Sequence, residues 1–216
     1  MADFIIAVLS QKGGVGKSTL SRLISTAYAK SDWAVKIADF NTKQKTSVDW
    51  SAQRLEEAVE PDVPAEAYSS IKKVMKEPYD LVVCDGRPDS DAASLEIAKA
   101  ANVVVIPSGV TLDDLRPQVL FANELISRGI KRSKILFVLN KTADSTVAIE
   151  DAREYVKSVG YSVTMNDLPY KTGYQMAQNS GRSVMETMYK TLNDKAVDLV
   201  NEIIKFGNDE LKASAA

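Results

Sequence analysis

The chain has 216 residues, 45% hydrophobic and 26% charged, enough apolar material for one domain with a substantial core. It holds no histidine and one cysteine, Cys84, which excludes Ser/His/Asp and Cys/His nucleophilic sites, internal disulfides and Cys-only metal centres within one chain. A net charge of -2 excludes a wholly basic nucleic-acid binder and leaves only a local patch for that role.

Apolar runs of strand length alternate with segments of helical periodicity. Residues 4–9 read as a strand and 17–30 as a helix. A strand at 34–38, a helix at 47–60, an extended piece at 63–68 and a helix at 69–76, stopped by Pro78, come next. Strands at 81–84 and 103–106 enclose a helix at 92–101. A helix at 112–127, a strand at 135–139, a helix at 146–159 and a strand at 161–165 follow, with closing helices at 174–179 and 183–206. Strands apolar throughout are buried on both faces, so the expected fold is doubly wound α/β, a mostly parallel sheet flanked by helices. Residues 1–206 are expected to form one domain and 207–216 a frayed tail. No apolar run approaches the roughly 18 residues of a spanning helix, and Met1-Ala2-Asp3 carries an acid where a signal peptide carries basic charge, so a cytoplasmic location is expected.

Directly after the first strand stands Gln11-Lys12-Gly13-Gly14-Val15-Gly16-Lys17-Ser18-Thr19, with a helix opening behind it. Glycines let backbone N–H groups gather around phosphate oxygens, the helix N-terminus adds its positive end, and Lys17 reaches the terminal phosphates. Gly13, Gly14, Val15, Gly16, Lys17, Ser18 and Thr19 are therefore candidate nucleotide-binding residues, with Ser18 on Mg2+ and Thr19 at the α-phosphate. Asp39 and Asp85 close two other strands, where carboxylates can hold magnesium-bound water.

With Gln11 where the general motif has glycine and Lys12 beside it, the loop resembles that of the ParA/MinD ATPases, most nearly the short ParA partition type. The resemblance implies ATP and Mg2+ as cofactors and slow hydrolysis driving a monomer-to-dimer cycle. It implies that Lys12 crosses to the nucleotide of a second subunit, and that Asn140 and Pro169 lie at the adenine. It also implies an acid at position 41; this chain has Asn41, which can hydrogen-bond a water but cannot take its proton, so impaired hydrolysis is expected. The catalytic candidates are Lys12, Lys17, Asp39 and Asn41.

By the same resemblance the expected role is DNA partition by an ATP-bound homodimer. It would bind DNA non-specifically, associate with the nucleoid and answer to a ParB-like or other activating adaptor. Lys171, Arg182, Lys190 and Lys195 are the candidate DNA contacts, with Arg128, Lys131, Arg132 and Lys134 as a second basic run. The alternatives are a positioning ATPase for a protein cargo and a MinD-like membrane-bound ATPase. Acids at Asp198, Glu202, Asp209 and Glu210 around the last helix count against a membrane. A dethiobiotin-synthetase-like ligase shares the fold but lacks a counterpart of Lys12.

Overall fold

The structure, a computed structural model, describes residues 2–88 and 92–215. The chain alternates β1 (Phe4–Val8), α1 (Lys17–Ala29), β2 (Val35–Asp39), α2 (Thr46–Glu56), β3 (Ala65–Ala67), α3 (Ile71–Val74), β4 (Leu81–Asp85) and α4 (Ala92–Ala100). It continues through β5 (Val103–Ser108), α5 (Leu112–Ser127), β6 (Ile135–Thr142), α6 (Thr146–Ser158), β7 (Ser162–Val163), β8 (Leu168–Pro169), α7 (Thr172–Asn179) and α8 (Lys190–Ala215).

The sheet order is β3-β2-β4-β1-β5-β6-β7, every pair is parallel, and β8 pairs with β6. Every residue of β1, β2, β4 and β5 is buried, as continuous apolar strands require when helices cover both faces. Ile5, Ala7 and Leu9 enter one core layer with Val104, Ile106 and Phe137, while Phe4, Ile6 and Val8 enter the other with Val105, Val138 and Leu199. From β1 the chain fills one side of the sheet with β2, β3 and β4, then crosses to β5, β6 and β7. The order therefore reverses at β1, and the crevice beyond the strands' carboxyl ends is where such folds bind ligands. Register sets Asp85 beside both Val8 and Asp39, so the two acidic residues stand on adjacent strands, whose backbones lie about 4.8 Å apart, at that crevice.

Three expectations are corrected. The helix expected over 69–76 shrinks to Ile71–Val74, capped by Ser70, whose hydroxyl accepts the N–H of Lys72. The strand expected to reach Met165 ends at Val163, because the Glu202 carboxylate accepts the N–H of Met165 at 2.7 Å and of Asn166 at 2.8 Å and draws the chain off the sheet. The last helix starts at Lys190 rather than 183 and runs to Ala215, so the tail expected to fray from Gly207 is helical. Gly207 permits this by lying close against Phe4, and Leu211 packs on the core beyond it. The apolar face of α8, with Ala196, Leu199, Val200 and Ile203, is spent on that core. Among the described residues no helix is long and apolar enough to cross a membrane.

Candidate nucleotide-binding site

The loop from Ser10 to Gly16 leaves β1 at the reversal point and delivers the chain into α1. Two of its glycines, Gly14 at φ 75° and Gly16 at φ 96°, adopt the left-handed conformation that side chains resist. Gly16 is fixed by space as well: a Cβ there would stand 1.9 Å from Asn140 Nδ2. Among the described residues the amide N–H groups of Gly13, Gly14, Val15 and Gly16 find no acceptor. Four successive free N–H groups at a helix N-terminus are the donors that anions take up in such loops. Lys17, buried, donates from Nζ to the Lys12 carbonyl at 3.0 Å and so lies along the loop.

Lys12 turns the other way. Its ammonium, well exposed, pairs with Asp114 of α5 at 2.5 Å, and the Thr111 hydroxyl holds the second oxygen of that carboxylate. Burial would raise the Asp114 carboxyl, but the hydrogen bonds from Lys12 and Thr111 outweigh it and hold the pKa below the ordinary value.

The metal-side candidates converge on the start of α2. Asp39 is fully buried; its carboxylate accepts the N–H of Asn41 at 2.9 Å and of Ser47 at 3.0 Å. Burial raises its pKa, and these backbone bonds oppose the rise. Asp85 accepts the Ser47 hydroxyl at 2.6 Å, while its Oδ1 is buried with no partner among the described residues. Burial pushes the Asp85 carboxyl up to about 6, the hydrogen bonds of Ser47 and Ser18 lower it, and the adjacent Asp39 charge adds to the rise. Ser18 Oγ lies 3.1 Å from Thr46 Oγ1. A serine hydroxyl, two neighbouring carboxylates and an orphaned carboxylate oxygen are hard oxygen donors of the kind Mg2+ takes when phosphates and water complete its shell. The residues thus fit the ion, although among the described residues no cluster of three His, Cys, Asp or Glu forms an all-protein cage.

Asn41 is engaged locally: its Nδ2 donates to Gln44 Oε1 at 2.8 Å, and the loop turns tightly enough for Lys45 N to reach the Asn41 carbonyl. Asn140, near the end of β6, donates from Nδ2 to the Val15 carbonyl at 2.7 Å, so its amide ties the glycine loop to that strand. Asn140, Thr19, Pro169, Tyr174 and Gln178 line a cavity of about 190 Å³ that opens beside the loop.

The four DNA candidates gather around α7 and α8 but are partly spent. Lys171 pairs with Asp144 at 2.8 Å, Lys190 with Asp194 at 2.6 Å, and Lys195 is exposed near Asp144. Arg182 lines a groove of about 390 Å³ with Met176, Met188 and Tyr189. The second basic run lies before β6, and two of its members serve the fold: Arg132 donates to the Val159 carbonyl and Lys134 to that of Ala101.

Sequence reasoning missed Ser47, Thr46, Arg22 and Gln178. Arg22 carried a usable signal, a cation in the apolar helix one turn after Ser18; the others are ordinary polar residues whose partners lie far along the chain.

Comparison with known proteins agrees with this geometry. The CobQ/CobB/MinD/ParA nucleotide binding domain matches residues 6–204. A curated relative, maintenance of carboxysome distribution protein A from Gloeobacter kilaueensis, is 31% identical over 107 residues, and the match spans about half of each chain, 48%. Among solved structures, the septum site-determining protein MinD complexed with Mg-ADP from Pyrococcus horikoshii OT3 superposes with a TM-score of 0.74 at 15% identity, covering 96% of this chain and 98% of that one. Apo McdA from Cyanthece superposes with a TM-score of 0.71 at 17% identity, covering 93% and 99%. The chain belongs to the CobQ/CobB/MinD/ParA nucleotide-binding family.

Proposed function

We propose that the chain is a ParA/MinD-type ATPase in which ATP closes a homodimer, slow hydrolysis reopens it, and the cycle positions a protein assembly as cargo. The observation that carries this reading is the divided loop: four free amides and Lys17 face a phosphate site, while Lys12 reaches outward and can serve a second subunit as an arginine finger does. Likeness to a carboxysome-distribution protein favours a protein cargo over plasmid or chromosome DNA. Non-specific DNA remains a candidate track for the ATP dimer through Lys195 and Arg182, with Lys171 and Lys190 freed from their acidic partners. A ParB-like or other adaptor that stimulates hydrolysis completes the cycle.

Within one subunit, Gly13 to Gly16 and Lys17 bind and orient the triphosphate, and Thr19 and Asn140 flank the path to the base. Ser18, Asp39 and Asp85 would hold Mg2+, which neutralises charge on the terminal phosphates. Asn41 can orient a water but cannot accept its proton, so turnover is slow.

Phosphate release from ATP tests the reading, measured with and without double-stranded DNA. Slow release abolished by Lys17→Ala is the expected result, and release indifferent to Lys17→Ala would contradict it. Retention on DNA that needs ATP and falls steeply with salt would add the DNA track; equal retention with ADP would remove it.

A further inference from the structure

Arg22 stands on α1 one turn beyond Ser18 and, apart from Lys17, is the sole charged residue of that helix. Its Nη2 donates to the Thr46 carbonyl at 2.6 Å, and its Nη1 donates to Gln178 Oε1 at 3.1 Å. The guanidinium lies 5.5 Å from the centroid of the Trp50 ring. Its two acceptors belong to opposite ends of the site. Thr46 opens α2, its hydroxyl touches Ser18, and the next residue, Ser47, binds both Asp39 and Asp85. Gln178 lies on α7 and lines the cavity with Thr19, Asn140 and Pro169.

Burying even part of a cation is costly, and the nearby charges of Asp85, Asp39 and Asp49 offset only part of that cost through space. Charge alone, however, would be served equally by lysine. What arginine adds is a rigid fork whose arms hold two acceptors in a fixed relation, and here both arms end on neutral oxygens of separate helices.

We propose that Arg22 is a positioning residue that couples the base cavity to the metal-side oxygens. Seating a base orders Gln178, and the fork carries that order to Thr46 and thence to Ser18, Asp39 and Asp85. A triphosphate with a base is then held more strongly with Mg2+ than a bare triphosphate is. The inference rests on the nucleotide-site reading above.

Competition against a fluorescent ATP analogue tests it, measuring the affinity of ATP and of inorganic tripolyphosphate, each with and without Mg2+. Wild type, Gln178→Ala, Arg22→Lys and the double variant Arg22→Ala/Gln178→Ala are compared, with ligand-free thermal unfolding to establish that each is folded. Gln178 is half-buried on a helix, so its variant keeps the fold even where changes at Arg22 do not. In wild type, Mg2+ should tighten ATP about five-fold more than it tightens tripolyphosphate. That excess should vanish in Gln178→Ala and in Arg22→Lys, and the double variant should lose no more than either single. An excess that survives Gln178→Ala, or is missing from wild type while both ligands bind and respond to Mg2+, overturns the coupling alone. If neither ligand competes in wild type, the nucleotide-site reading falls together with it.

Discussion

Asn140 and Gly16 form one device. The amide nitrogen of Asn140 holds the carbonyl of Val15, and the missing side chain at Gly16 makes room for that amide. Gly16→Ala sets a Cβ against the Asn140 amide and strains a left-handed residue, so either Asn140 must swing away and release the Val15 carbonyl or the loop must shift. The expected outcome is loss of nucleotide binding, by about 100-fold or more in Kd, read by the same fluorescent competition; binding within a few-fold of wild type would show that the loop accommodates the methyl group. Asn41→Asp makes the opposite change by adding a proton acceptor. Turnover should rise by about 10-fold or more, and equal rates would dismiss Asn41 as the cause of slow hydrolysis. At this scale the sequence reveals what is contiguous. Lys12 to Thr19 is legible because strand, loop and helix are consecutive, and Asp39 and Asp85 because each closes an apolar run. Arg22, Ser47 and Gln178 are not legible as a group, since the two bonds of Arg22 reach 24 and 156 residues along the chain.

α2 is where the loop chemistry meets the rest of the domain. Its buried Arg54 donates to Glu186 with both Nη groups, at 2.8 and 3.1 Å, and to the Gly181 carbonyl, while Trp50 Nε1 donates to the Arg182 carbonyl. The segment 181–186 is thereby clamped to the helix that carries Thr46 and Ser47. Burial would raise the Glu186 carboxyl, but the hydrogen bonds from Arg54 and the Ser183 N–H outweigh it and hold its pKa below the ordinary value. Glu186→Gln leaves a buried cation uncompensated and should cost about 3 kcal/mol at neutral pH, measured by denaturant unfolding. The sign of the pH effect follows from linkage. A carboxylate with a depressed folded pKa gives its stability in full above the unfolded value, about 4.3, and loses it as the pH falls through the folded value. The gap between wild type and Glu186→Gln should therefore be constant from pH 7 to 5 and close below about pH 4; a constant gap down to pH 3 would assign the loss to something other than the charge. Helix periodicity reveals α2 but not its clamp, and it ends the last helix at Phe206 because glycine and polar residues follow. Gly207 is instead a contact residue beneath Phe4, and a one-chain pattern cannot distinguish that use from a terminator.

For the whole molecule, topology explains why these groups meet. The strand order reverses at β1, which brings the carboxyl ends of β1, β2, β4, β5 and β6 to one crevice and sets the glycine loop at its centre. The alternation of apolar strands and amphipathic helices made the parallel doubly wound class legible. The strand that becomes β7 is legible, but its early end is not, because the Glu202 contacts that end it lie on a helix 36 and 37 residues away, and the two-residue β8 is too short to leave a pattern. In the proposed cycle one subunit supplies the phosphate cradle and Lys12 serves the other, so the account stands or falls on whether a second subunit answers. The most direct measurement is molar mass by light scattering with ATP and Mg2+, with ADP, and with ATP for Lys12→Ala. The account predicts a dimer with ATP, a monomer with ADP, and a monomer for Lys12→Ala that still binds ATP. A monomer in every state, or an ATP dimer that survives Lys12→Ala, would contradict it.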